Sequence, residues 1–150
     1  MSDMRELYQQ LIMDHNRNPR NFGRMDDATS HANGHNPLCG DRVTIYLNVQ
    51  DGIIKDVRFE GVGCAISKSS ASIMTTVLKG KRIEEADGIF DGFHKLVTGV
   101  AGVELDEETA ERLATFNGIK KFPARVKCAS LAWHTMEAAL HASDSPVSTE

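Results

Sequence analysis

The sequence contains no C-x-x-C pair, which excludes the paired-thiol loops of zinc ribbons and of thioredoxin-type redox sites. It also lacks any apolar run near the roughly 18 residues that suggest a membrane span. Its start, MSDMRELYQQ, carries acidic residues where a signal peptide would be apolar. The expectation is a cytoplasmic protein with no membrane partner. A basic surplus is missing too: the formal charge is -4 and the pI about 5.9, which disfavours the broad phosphate grip that nucleic acid requires. Three cysteines, at 39, 64 and 128, are odd in number and far apart, so a disulfide framework is disfavoured. Three uses of the thiols remain: inert packing, catalysis, or a metal site assembled by folding.

With 150 residues, 41% hydrophobic and only 25% charged, the chain is long and apolar enough for one domain with a real core. We place that domain at residues 1–141 and expect the Ser/Asp/Pro/Thr-rich tail, 142–150, to be disordered. Asp3 and Glu6 form a capping pair for a helix over 4–15, with Met4, Leu7, Tyr8, Leu11 and Ile12 on one face, and NPRNFG at 18–23 stops it. Residues 24–38 show neither periodicity and are expected to form a long loop, with room for one further strand. Val43, Ile45, Leu47 and Val49 alternate with polar residues as a half-buried strand does, and Asp51-Gly52 supplies a type I′ hairpin turn. The return strand, 53–60, should bury Ile53, Val57 and Phe59. Helices follow over 65–79, 83–97, 106–116 and from Pro123 to about His141, the proline costing nothing in a first turn. The fold class expected from these elements is α+β, a small antiparallel sheet with helices.

The cysteines occupy unusual contexts. Cys39 lies in HNPLCGD among turn formers, although cysteine is ordinarily a core residue. Cys64 follows the flexible GVG and opens a helix, where partial positive charge and unpaired amides favour thiolate over thiol. Cys128 falls in the first turns of the last helix. One end of the sheet can gather all three. Zinc favours four tetrahedral ligands rich in thiolate sulfur, and Asp41 can supply the fourth; an iron-sulfur cluster is the alternative. Three thiolates and a carboxylate around a divalent ion leave a charge of about -2, which Arg125 and Lys127 would offset. The same basic run, with Lys120 and Lys121, is equally readable as a solvated face. Of six histidines only His35 is near enough to a cysteine to be a candidate ligand; the others are expected to be structural or exposed.

NPRNFG, NPLCGD, GVGCAIS and KFPARVKCASLAW together resemble the SufU-type proteins of the IscU/NifU-N family of iron-sulfur cluster assembly, over residues 4 to 141. The resemblance implies a SufE/NifU-like α+β sandwich, its helices packed on one sheet face and three cysteines and an aspartate at one end. It implies zinc ligation by Cys39, Asp41, Cys64 and Cys128, with Asp41 tuning the lability of metal or cluster. The chain departs from IscU-type scaffolds in having Lys127 before the third cysteine, KKFPARVK in place of a proline-rich chaperone-docking stretch, and a longer gap filled by 98–118. Each departure is SufU-like. The implied partner is a SufS-type, pyridoxal-phosphate-dependent cysteine desulfurase, whose persulfide sulfur Cys39 would accept and pass on to the downstream assembly machinery. Gly40 would give Cys39 room to swing when a desulfurase histidine displaces it from zinc. Cys128 is the alternative acceptor, and the alternative function is a scaffold for a [2Fe-2S] or [4Fe-4S] cluster. A domain that binds zinc for stability alone is a third reading.

Overall fold

The computed structural model describes residues 2–38, 40–141 and 147–148. Cys39 lies outside the described residues. Helix α1 spans Ser2–Arg17, so it begins before the Asp3 expected to cap it. Strands β1 (Ser30–Asn36), β2 (Asp41–Gln50) and β3 (Ile53–Val62) form an antiparallel sheet, followed by α2 (Ala65–Leu78), α3 (Ile83–Thr98), α4 (Glu107–Leu113), a 3-10 segment (Ala114–Lys121) and α5 (Pro123–Leu140). The expected single α+β domain is observed. Among the described residues, no helix is long and apolar enough to cross a membrane.

The β2–β3 turn forms as its sequence demands: Asp51 and Gly52 take φ of 54° and 75°, the pair of positive values a type I′ turn needs. The burial phase of β3 differs from expectation. Ile54, not Ile53, is fully buried together with Val57 and Phe59. The register shifts between Asn48 and Val49, which pair with Asp56 and Ile54, so Lys55 is an extra residue that inverts the alternation before it.

Strand β1 occupies part of the expected 24–38 loop. It buries Ala32, Gly34 and Asn36 and exposes His31, Asn33 and His35, a true alternation built from residues too small or polar to announce a strand. In the tail expected to be disordered, Val147–Ser148 form a two-residue strand β4, pairing in parallel with Gly34 and His35. The rest of that tail lies outside the described residues.

Helix α5 packs across β1 and β2, α2 packs against β3, and α1 and α3 lie behind them on α2 and α5. The opposite sheet face carries exposed His31, Asn33, His35, Arg42 and Arg58, as expected for helices on one side only. Between the layers, Phe93 stacks on Trp133 with ring centroids 4.3 Å apart, and the Trp133 indole N–H donates to Ser70 Oγ at 3.1 Å. Burying these rings fixes α3 against α5, which also carries Cys128.

Candidate metal centre

The sheet register places the site. Asn36 opposes Asp41 and Arg42 opposes Val62, so the end of β1, the start of β2 and the exit of β3 lie at one edge. The chain leaves β3 through Gly61, whose φ of 148° and close approach to the Arg42 carbonyl admit no side chain: a Cβ there would lie 2.1 Å from that oxygen. Two residues after Val62, Cys64 becomes the N-cap of α2.

Cys64 is fixed twice. Its backbone N–H donates to Asp41 Oδ1 at 2.9 Å, and its sulfur accepts from the Ser67 N–H at 3.4 Å. That second bond is the helix-start contact anticipated for this thiol. Its Sγ also lies 3.9 Å from Asp41 Oδ2. Asp41 is fully buried at 0% exposure, a position a carboxylate takes with compensating partners, the Cys64 N–H among them. Cys128, on the sixth residue of α5, is buried, and the Asn36 side-chain amide approaches its sulfur at 3.9 Å. Ligand atoms of Asp41, Cys64 and Cys128 all lie within 4.8 Å of one another. Three of the four residues chosen from sequence are thus brought together.

This donor set fits zinc. With Zn–S near 2.3 Å, ligands of a tetrahedral ion sit about 3.8 Å apart, inside the 4.8 Å within which these three ligand atoms lie. Two thiols and one carboxylate leave one position for a fourth donor. Ahead of Asp41, the Gly40 N–H bonds the Asn36 carbonyl at 2.9 Å, and Gly40, at φ 72°, turns the chain into β2.

Burial grades across the site, with Asp41 and Cys128 inside and Cys64 exposed, so one side is open. Close in sequence to the site residues, Leu38, Val62 and Phe122 are exposed by 68%, 68% and 47%. The guanidinium of Arg125 lies over the Phe122 ring, 4.6 Å from its centre, while Lys127 is half-buried beside Cys128. His35 sits on the outer sheet face, and among the described residues no histidine joins the thiol group. Two further residues at the site carry no such signal in the sequence: Asn36, which beside Pro37 has the pattern of a turn, and Gly63, where a Cβ would meet Asp41 Oδ1 at 2.8 Å.

A family model described as NifU-like N terminal domain matches residues 7–142. The chain is 40% identical over 134 residues to the iron-sulfur cluster assembly scaffold protein IscU of Thermotoga maritima, covering 89% of this chain and 92% of that one. It is 42% identical over 132 residues to the zinc-dependent sulfurtransferase SufU of Bacillus subtilis, covering 87% of each. The crystal structure of FiSufU from Fervidobacterium islandicum superposes with a TM-score of 0.80 at 36% identity, over 87% of this chain and 94% of that one.

Proposed function

The chain belongs to the NifU-like N-terminal domain family, and from that premise we propose that it is a zinc-dependent sulfur-transfer protein serving iron-sulfur cluster assembly. The observation that carries the reading is the group of Asp41, Cys64 and Cys128, gathered within 4.8 Å at an open edge of the domain. With Cys39 as fourth donor, these residues would hold the ion. Bound zinc would keep thiols deprotonated at neutral pH without redox chemistry of its own.

In the proposed transfer, a SufS-type cysteine desulfurase presents a persulfide. The Cys39 thiolate attacks its outer sulfur. A new S–S bond forms on Cys39, the S–S bond on the desulfurase breaks, and the electron pair leaves on the desulfurase thiolate. No external oxidant or reductant is consumed, because sulfane sulfur only changes carrier. Gly40, with nothing within 4 Å of where a Cβ would stand, leaves the turn unobstructed for that movement. Arg125 and Lys127 supply positive charge beside the anion produced. Cys64 and Cys128, mounted on α2 and α5, suit the role of anchors.

Similarity to the Thermotoga scaffold supports a second reading, in which the same four donors hold a [2Fe-2S] or [4Fe-4S] cluster. Mass mapping after incubation with desulfurase and cysteine separates the roles of the thiols. The added mass of one sulfur is expected on the peptide bearing Cys39. Sulfur on the Cys128 peptide alone would reassign the acceptor, and none on either would remove the transfer reading.

A further inference from the structure

A second group of metal-ligating side chains lies where α3 meets the end of α5. Ligand atoms of Asp87, Glu137 and His141 all fall within 4.8 Å of one another. His141 Nε2 is 2.9 Å from Asp87 Oδ1 and 3.2 Å from Glu137 Oε2. Glu137 on α5 lies four residues before His141, which caps the C-terminal end of that helix, and Asp87 meets them from α3. The group is separate from the thiol centre: Cys128 precedes Glu137 by nine residues, roughly 13 Å along the helix at about 1.5 Å per residue.

The hydrogen bonding of this group does not close. A neutral imidazole carries one N–H. If Nε2 holds it, the shorter contact gives it to Asp87. Glu137 Oε2 is then left as the one buried side-chain oxygen with no hydrogen-bond partner among the described residues. If Nδ1 holds the proton instead, a nitrogen lone pair faces two carboxylate oxygens. Either arrangement leaves the partly buried Glu137 carboxylate short of a donor until a positive centre, a proton or a metal ion, sits among the three atoms. The Glu137 side chain is 19% exposed, whereas Asp87 and His141 are 41% and 55% exposed, so the group is closed below and open to solvent above. An ion can enter from that side and keep water as its remaining ligands.

We propose that Asp87, Glu137 and His141 form a second metal site, for a divalent first-row transition ion bound by two carboxylates and an imidazole. Such donors accept Mn2+, Fe2+ and Zn2+, whereas the thiolate centre selects zinc or an iron-sulfur cluster. A proton is the competitor, since burial, with Asp87 beside it, pushes the Glu137 carboxyl up to about 7.

Mn2+ is the probe that distinguishes the two sites. The zinc-loaded full chain is titrated with Mn2+ at pH 8 while the histidine ring protons are followed by NMR. The ring signals of His141 should broaden near one equivalent, while those of His15, buried between α1 and α2, persist. Glu137→Gln and, independently, Asp87→Asn should raise the Mn2+ needed at least tenfold. The proposal is overturned if His141 broadens no earlier than the exposed His31 and His35, or if both substitutions leave the titration unchanged. A proton alone would then satisfy Glu137.

Discussion

Gly63 shows how closely the candidate centre is fitted. A Cβ at that position would stand 2.8 Å from Asp41 Oδ1 and 3.3 Å from Ser67 Cβ, so the carboxylate that fixes the Cys64 N–H would have to move. Gly63→Ala is expected to fold yet release zinc to a chelator about tenfold faster, within the range by which disturbing a metal-ligand support lowers affinity. A release rate equal to wild type would show that Asp41 does not hold the ion. The grouping of Asp41, Cys64 and Cys128 was legible in the sequence because thiols are few and these residues sit in polar or helix-opening contexts. Asn36 was not. Beside Pro37 it has the signature of a turn, and only the register of β1 shows that it is 1% exposed with its amide toward Cys128. Gly63 likewise reads as backbone freedom until the Asp41 side chain is seen against it.

At the scale of elements, β1 depends on having almost no side chain where α5 crosses it. A Cβ on Gly34 would lie 2.1 Å from Thr135 Oγ1 and 3.1 Å from Leu131 Cδ1. Gly34→Ala must therefore push helix and strand apart, at a cost of about 1–3 kcal/mol. The expected lowering of the denaturation midpoint, with an unchanged denaturant slope, checks this; an unaltered midpoint would mean that the seam yields freely. The same smallness leaves β1 no more than an allowance for one further strand within 24–38 in the sequence, since Ala32, Gly34 and Asn36 form its inward face with little hydrophobic signal. By contrast, β2 and its hairpin turn were legible because aliphatic alternation and Asp-Gly chemistry agree. The phase of β3 failed at the bulge, which no local pattern marks. The helices read correctly where apolar spacing runs long, as in α2, α3 and α5, while residues 114–121 tighten into a 3-10 segment beyond the end of α4.

For the whole molecule, two sets of titrating groups set opposite pH responses. The Glu137 carboxyl, raised from 4.5 to about 7 by burial and then by Asp87, holds a proton that the unfolded chain releases earlier. Its contribution to stability therefore falls as pH rises between about 4.5 and 7. His141, raised by its hydrogen bond to Asp87, acts in the same direction above its unfolded value of 6.5. His15 and His134, lowered chiefly by burial, contribute stability that is lost as pH falls below 6.5. Glu137→Gln should raise the melting temperature of the zinc-loaded protein relative to wild type at pH 8, with the gain vanishing near pH 4. A gain independent of pH would contradict that assignment.

Sulfur uptake by this domain through a zinc-held thiol would show itself in cysteine desulfurase turnover. The measurement compares the zinc-loaded protein with zinc-analysed Cys39→Ala. Wild type should accelerate turnover, while Cys39→Ala should keep its fold and retain zinc on Asp41, Cys64 and Cys128 but give no acceleration. If zinc-loaded protein slows the desulfurase, while iron and sulfide build a stable chromophore on the same residues, the domain is a scaffold and the transfer account is wrong.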